Sequence, residues 1–272
     1  MKIALVDNGS VEAAAHQCLR SAASAIGARA DVPIEAVSWR HSGRIPADAL
    51  KGNAALTLAP WIRSQVSSGE REFLLVPYFI SPQGAIGSSL RRDLAALQED
   101  TGGFEFSISE GLSRQSLCSI VSDRVRETSR SAGLQRPPVI VVDHGGPSRP
   151  SAEIRDGVAE AARAELGGDI GPLVAASMES PDGPGFEFSR PLLGEALSAP
   201  GFDSGDVVIA PLFLSPGRHA GPGGDLEVIA RAAQARAPRL RCHFTGLVGL
   251  HPTALETLAR ALVAALRVGI PS

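Results

Sequence analysis

Short apolar runs alternate with longer amphipathic segments along most of the 272-residue chain. The run VIVV at residues 139–142 is β-branched throughout, which is typical of a strand buried on both faces of a parallel sheet. The segment that follows carries Ile154, Val158 and Leu166 at helical spacing. This alternation predicts an α/β fold in which mostly parallel sheets are covered by helices on both sides.

The same order of segments occurs in both halves of the chain. In the first half, the pattern predicts alternating strands and helices over 2–6, 11–26, 34–39, 56–66, 73–76, 87–97, 104–107 and 115–130. In the second half, it predicts strands over 139–142, 173–178, 206–214 and 240–247, and helices over 151–166, 189–197, 226–237 and 253–266.

Sequence repeats indicate that this order arose by internal duplication. IALVDNG at 3–9 matches VIVVDHG at 139–145, and PYFISP at 77–82 matches PLFLSP at 211–216. A third match joins Gly111 and Leu112 to Gly249 and Leu250. Three matches in one order at nearly constant offsets predict two similar three-layer lobes. The Pro-containing stretch at 134–138 places the boundary between residues 1–136 and 137–272.

Composition excludes several classes of protein. A net charge of −3 and a pI of about 6.1 give no basic footprint for nucleic acid. The chain lacks an uninterrupted apolar run of the length that spans a membrane, and its start does not resemble a signal peptide, so we expect a cytoplasmic protein. Three dispersed cysteines without a CxxC pair fit reduced thiols. Lysine occurs only at Lys2 and Lys51, so no nucleotide-binding P-loop can be written and no nucleotide is expected. Duplication also removes the need for a dimer, which predicts a monomer or a weak homo-oligomer.

Candidate chemistry collects where the strands of the second half end. Ligands of open parallel sheets bind beyond the carboxyl ends of the strands. His144 follows the first predicted strand, Glu179 the second, His219 the third and His251 the fourth. Two imidazoles from adjacent loops could hold a divalent metal without enclosing it, and Glu179 could complete the shell or accept protons. His251 precedes Pro252 at a helix start, so we interpret it as structural.

The first half has lost these histidines. Asn8, Ala85 and Ser113 stand where the second half has its three strand-end histidines. The glycine and proline framework around them is kept. We therefore expect the first lobe to be degenerate, supplying packing and one wall of a cleft between the lobes, and the second lobe to carry the metal site.

The motifs of the second half resemble a known family. The segment VVIAPLFLSPGRHAGPGGDL at 207–226, with VVDHGG upstream and GLVGLHP downstream, is similar to the CbiX/SirB-type sirohydrochlorin chelatases. These are ATP-independent class II tetrapyrrole chelatases, and the resemblance is to their long, two-lobed members. It is strong over 137–268 and weak over 1–134. Three departures are the HGGPS sequence at 144–148, the glycine-rich loop after His219, and the position of the histidines in the second half.

The resemblance implies a lyase that inserts Co²⁺ or Fe²⁺, or a related ion such as Ni²⁺, into sirohydrochlorin or a related tetrapyrrole during siroheme or cobalamin biosynthesis. His144 and His219 would bind the metal and, with Glu179, remove the pyrrole protons. Because the substrate carries carboxylates, its candidate contacts are backbone N–H groups and polar side chains around the same loops: Gly145, Gly146, Ser148, Arg149 and Arg218.

Two alternatives stay open at this point. The degenerate first half and the HGGPS loop also fit a metal or tetrapyrrole binding or delivery protein without turnover. A metal-assisted hydrolase could use the same histidines, although the sequence has no HExxH motif. His144 could instead bond a loop carbonyl or cap a helix, and Glu179 could be a solvated loop carboxylate.

Overall fold

A computed structural model describes residues 1–81 and 85–268, except for the side chains of residues 85–87. Its nine strands are β1 (Lys2–Asp7), β2 (Glu35–Ser38), β3 (Leu56–Thr57), β4 (Glu72–Pro77), β5 (Glu105–Ile108), β6 (Val139–Gly145), β7 (Leu173–Glu179), β8 (Gly205–Pro211) and β9 (Leu240–Phe244). The eight α-helices of the described residues are α1 (Ala13–Ala30), α2 (Leu58–Ser67), α3 (Ala85–Asp100), α4 (Arg114–Ser131), α5 (Arg149–Leu166), α6 (Leu193–Ala196), α7 (Asp225–Arg236) and α8 (Pro252–Val268).

Two parallel sheets confirm the predicted α/β fold with two lobes. One sheet has the order β3-β2-β1-β4-β5, and the other has the order β7-β6-β8-β9. All the strand pairs are parallel, and β2-β1-β4-β5 corresponds in order to β7-β6-β8-β9. The first sheet differs by the two-residue edge strand β3. The duplicated order of strands is therefore the structural counterpart of the sequence repeat.

Two predicted segments differ in detail. The segment at 56–66, predicted as one helix, begins with β3, which pairs with the edge of β2 before α2 starts. The helix predicted at 189–197 is divided into a 3-10 turn (Glu187–Ser189) and the short α6. Pro191 lies between these two pieces, and a proline cannot donate the backbone hydrogen bond that a continuous helix needs.

The compact units do not coincide with the sequence halves divided at 136/137. One unit comprises Met1–Leu112 and the C-terminal segment from Gly249, and the other comprises Ser113–Val248. Helix α8 of the second half packs against α1 and β4, whereas α4 of the first half packs against α5 and β8. The last helix of each sequence half therefore belongs to the other half's unit. The apolar face of an amphipathic helix can pack against either sheet, so the sequence pattern of the helix does not specify which sheet the helix covers.

Each unit has its own apolar core on its sheet. In the first unit, Phe73 of β4 forms edge-on ring contacts with Trp61 and Phe104, with ring centroids 5.5 and 5.2 Å apart. In the second unit, the core includes Ile140 and Ile209 from the central strands β6 and β8. The core of the second unit holds the strand ends on which the candidate site is built. No described helix has both the length and the apolar character needed to cross a membrane.

Candidate functional site

His144 and His219 come together at the carboxyl ends of two adjacent strands. His144 is the penultimate residue of β6, and His219 lies in the loop that follows β8, its parallel neighbour. Their ring centroids are 4.8 Å apart and the rings are nearly perpendicular, at 83°. Each ligating imidazole nitrogen lies about 2 Å from its metal, so two rings sharing an ion have centroids within about 6.5 Å of each other. The pair therefore meets the distance requirement for a common metal ion.

Asp225 orients the ring of His219. Its Oδ2 lies 2.7 Å from His219 Nδ1, and it is the first residue of α7. The carboxylate accepts a hydrogen bond from Nδ1–H, which in the neutral ring leaves the lone pair on Nε2 for a metal. Backbone N–H groups of Asp225 and Leu226 donate to the carbonyls of Arg218 and His219, so the glycine-rich loop is closed onto the helix. Asp225 was not predicted to belong to the site. The sequence feature that could have indicated it is an acidic residue at the start of a helix, six positions after His219.

Glu179 lies beside His144, as its position at the end of β7 predicted. Gly145 and Glu179 are register partners on β6 and β7. His144 Nδ1 is 3.6 Å from Glu179 Oε1 and 3.3 Å from the carbonyl oxygen of Gly145. The first distance is too long for a hydrogen bond but suits an ion pair or a proton relay through water. Both side chains are exposed, so they are accessible to a ligand.

The arrangement is open rather than enclosing. Within the described part of the chain, no three His, Cys, Asp or Glu side chains form a group that could hold a metal ion. The two imidazoles could supply two ligands at an accessible position, with Glu179 adjacent. An ion bound there would keep several coordination positions for water or for another ligand.

Other predicted residues occupy the surrounding loops. Gly145 and Gly146 have φ of +85° and +117°, and a Cβ on Gly145 would lie 1.9 Å from the Glu179 carbonyl oxygen. Ser148 is the N-cap of α5 and accepts from the backbone N–H of Ser151. Arg218 Nε lies 3.7 Å from Asp225 Oδ2, and the Arg218 side chain is largely exposed to solvent.

Arg149 and His251 have partners away from the histidine pair. The guanidinium of Arg149 lies over the ring of Phe188, 4.9 Å from its centroid. His251 is buried in the first unit, where its Nδ1 accepts from the backbone N–H of Thr253 at the start of α8. The histidine thus caps this helix, in agreement with the structural role predicted for it.

A buried polar network lies directly beneath the site and was not predicted. Arg155 of α5, only 2% exposed, donates to Ser177 Oγ, which in turn donates to Asp143 Oδ1 over 2.7 Å. Burial raises the pKa of Asp143 above its ordinary value, while the Ser177 hydroxyl and the Arg155 guanidinium oppose that rise. Asp143 immediately precedes His144. The helical pattern of 151–166 does not distinguish Arg155 from the exposed polar residues of the helix, so its burial was not predicted.

The first unit has a related cluster without the arginine. Asp7 and Ser38 are register partners on β1 and β2, as Asp143 and Ser177 are on β6 and β7. Burial raises the pKa of Asp7 to about 6, against the hydrogen bond from Ser38. Burial also lowers the pKa of His16, whose Nδ1 lies 3.3 Å from Ser38 Oγ, to about 4. The duplicated strand ends have therefore kept their acid and serine but lost the strand-end histidine.

The chain is similar to known proteins in part of its sequence and in its whole fold. The sequence model of the CbiX family matches residues 138–265. Comparison with curated protein sequences found no match. Among solved structures, SirB from Bacillus subtilis with Fe³⁺ has a TM-score of 0.68 and 15% identity, covering 99% of this chain and 98% of that one.

Two further structures extend this likeness over the whole chain. The sirohydrochlorin chelatase SirB from Bacillus subtilis subspecies spizizenii in complex with cobalt has a TM-score of 0.64 and 15% identity, covering 96% of this chain and 94% of that one. CbiX, described as the terminal enzyme for biosynthesis of siroheme in denitrifying bacteria, has a TM-score of 0.61 and 15% identity, with coverages of 97% and 99%. Identities this low establish the shared fold.

The two-lobed parallel α/β fold is therefore the fold of these chelatase structures, and the paired strand-end histidines lie within the segment that matches the family model. The match within the second half is more specific than the fold. Residues 138–265 match the sequence model of the CbiX family, and the resemblance to the CbiX/SirB-type chelatases is confirmed.

Proposed function

We propose that this chain inserts a divalent first-row metal ion into a tetrapyrrole without nucleotide hydrolysis, with sirohydrochlorin as substrate and Co²⁺ or Fe²⁺ as the ion. The observation that carries the proposal is the His144–His219 pair, whose rings lie 4.8 Å apart at the ends of neighbouring strands. The family match over the same residues supports it. The Fe³⁺ and cobalt complexes of SirB proteins support a first-row ion but do not choose between them.

An open pair of imidazoles suits a metal that must leave again. Nitrogen ligands bind Co²⁺, Fe²⁺ and Ni²⁺ well, and the remaining coordination positions are free for the pyrrole nitrogens of the incoming macrocycle. A closed cage would hold the ion and slow its transfer. His219 is held in one orientation by Asp225, while the exposed His144 is less constrained.

Insertion releases two protons. Two pyrrole N–H bonds break, the four ring nitrogens bind the divalent ion, and the protons leave to acceptors beside the ring. Imidazole is a proton acceptor near neutral pH, and Glu179 lies 3.6 Å from His144 Nδ1. We assign the proton acceptance to Glu179 together with the histidines as the metal leaves them.

The substrate's carboxylates require cationic or N–H partners at the rim. Arg218 follows β8 next to His219 and is mostly solvent-exposed. Gly146 lies at the turn into α5, and nothing lies within 4 Å of a Cβ built on it. We assign carboxylate binding to Arg218 and to the backbone N–H groups of Gly145, Gly146 and Ser148, where the dipole of the 18-residue α5 favours anions.

The test is an anaerobic insertion assay. Purified protein is mixed with sirohydrochlorin and Co²⁺, Fe²⁺ or Ni²⁺, and the product is followed by its visible absorbance. We expect acceleration over the spontaneous reaction, lost in His144→Ala and in His219→Ala. The matched control is His243→Ala, because His243 belongs to the same unit and also bonds a carboxylate, Asp206, at 2.8 Å.

The outcomes separate the enzyme from the alternatives. Equal acceleration by His144→Ala and the wild type would contradict the residue assignment. Stoichiometric binding of metal or tetrapyrrole without acceleration would indicate a delivery protein instead. Loss of acceleration in His243→Ala with its fold intact would show that the assay is not reporting on the strand-end pair.

A further inference from the structure

We infer that Arg155 is a positioning residue for the candidate metal site. It braces the ends of β6 and β7 and so sets the placement of His144 relative to Glu179. The inference rests on the proposed function, because the consequence it predicts is a change in metal binding. Arg155 itself is buried, and its hydrogen bonds are to groups other than the two histidines.

The contacts of Arg155 satisfy its buried guanidinium. Nη1 donates to Ser177 Oγ and lies 3.5 Å from Asp143 Oδ1, and Nη2 donates to the carbonyl oxygen of Phe188 over 2.7 Å. Nε donates to Asp156 Oδ1 over 2.8 Å. A guanidinium removed from water is costly unless it is paired and hydrogen-bonded, and its planar fork of donors is suited to several fixed acceptors at once.

These contacts meet the two strands immediately below the site. Asp143 and Ser177 are register partners, and Gly145 and Glu179 are the next pair along the same two strands. Asp143 is the neighbour of His144 in sequence, and Ser177 is two residues before Glu179. One guanidinium therefore links the two strands, through the side chains of Asp143 and Ser177, next to the positions of His144 and Glu179.

The same group also ties down the loop that follows β7. Phe188, whose carbonyl accepts from Arg155, is next to Ser189, and the Ser189 hydroxyl donates to the Gly146 carbonyl over 3.0 Å. The segment after His144 is thus fixed through this loop, and the segment before it through Asp143. Arg155 contributes to both restraints.

The first unit shows that packing alone does not require an arginine here. The 136-residue offset that relates Asp7 to Asp143 places Leu19 at the position of Arg155, and Leu19 is fully buried. That unit folds around an equivalent acid and serine with a leucine in this place, and it has Asn8 where the second unit has His144. The buried arginine thus occurs in the unit that has the strand-end histidine and is absent from the equivalent position of the unit that lacks it. A role in orienting a metal ligand would explain why the second unit keeps this arginine.

The experiment measures Co²⁺ binding to the full chain by anaerobic titration, using the visible absorption bands of the bound ion, without any tetrapyrrole. In Arg155→Lys, the charge is kept but the ammonium cannot reach all the acceptors. In the double variant Asp143→Asn/Arg155→Leu, the leucine of the first unit is copied and the acid is neutralised, so no buried charge is left unpaired. We expect the dissociation constant to rise about tenfold or more in both variants and the absorption bands to change, as alterations behind metal ligands do.

The matched control is Arg163→Lys. Arg163 is on the same helix and, like Arg155, donates from Nη2 to a backbone carbonyl over 2.7 Å. Its acceptor is the carbonyl of Leu173, at the end of β7 opposite to Glu179. We expect unchanged Co²⁺ affinity and bands in this variant, with circular dichroism and thermal melting recorded for all of them.

The outcomes are distinguishable. Wild-type affinity and bands in both Arg155 variants would overturn the inference, including when their melting temperatures fall, because that result assigns a structural role only. Equal weakening by Arg163→Lys would also overturn it. Failure of the wild type to bind Co²⁺ would overturn the proposed function itself, and the inference with it.

Discussion

Asp225→Asn is the substitution that tests the metal site most directly. The variant replaces the carboxylate that accepts from His219 Nδ1 at 2.7 Å by a neutral amide of nearly the same shape. A hydrogen bond to a charged group contributes about 1.5–3 kcal/mol. Asp225 is 41% exposed, so solvent screening places it at the low end of that range. About 1.5 kcal/mol corresponds to a loss of about tenfold in affinity.

Both orientations of the new amide weaken metal binding. If the amide oxygen accepts from Nδ1, the ring keeps its tautomer but loses the negative charge behind it. If the amide nitrogen faces the ring, Nδ1 must accept, and the proton moves to Nε2, where the metal would bind. The assay is an anaerobic Co²⁺ titration followed by visible absorbance, and we expect the dissociation constant to rise about tenfold.

Asp206→Asn is the control for this measurement. Asp206 also bonds a histidine, His243, at 2.8 Å, but lies at the starting end of β8, away from His219. Hydrogen bonds from Arg241 and His243 hold the pKa of the Asp206 carboxyl well below its ordinary range, so removal of this carboxylate should lower stability. We expect no change in Co²⁺ affinity. An Asp225→Asn protein with wild-type affinity and absorption bands would refute the argument that this carboxylate sets the histidine.

The remaining predictions concern stability. Burial raises the pKa of Asp7 to about 6, so the stability that the protonated carboxyl contributes is fully present below pH 4 and is lost as the pH rises through 6. Asn cannot ionise, so Asp7→Asn should have a free energy of unfolding up to about 3 kcal/mol above that of the wild type at pH 7.5, and nearly the same value at pH 4, in denaturant titrations. A stability difference between Asp7→Asn and the wild type that does not change with pH would contradict its assignment to the raised pKa of Asp7. Gly145→Ala should destabilise the protein by more than about 3 kcal/mol, because its Cβ would lie 1.9 Å from a backbone oxygen, whereas Gly146→Ala should cost about 1–2 kcal/mol from its φ alone. Thermal melting compares the two, and equal losses would show that the contact with the Glu179 carbonyl does not dominate.

All the strands except β3, most of the helices and the two-lobed α/β fold could be predicted from sequence because their signals are local. An apolar β-branched run such as 139–142 has few alternatives to a buried strand, and the helical spacing of α5 is visible within a few turns. The general location of His144, Glu179 and His219 could also be predicted. Parallel strands bring their carboxyl ends to one edge, so residues following neighbouring strands meet there whatever the details of the core.

The rest depended on contacts between segments far apart in the chain. The exchange of α4 and α8 between the units could not be predicted from the sequence of either helix, because an apolar stripe can pack on either sheet. Arg155 reads as one more polar residue of an amphipathic helix until the folded chain surrounds it with Asp143, Ser177 and the Phe188 carbonyl. Asp225 becomes the partner of His219 only when the intervening glycines fold back on the start of α7. Periodicity indicates the apolar face of an element, whereas the burial of a polar side chain such as Arg155 and the identity of its partners depend on how the elements pack in three dimensions.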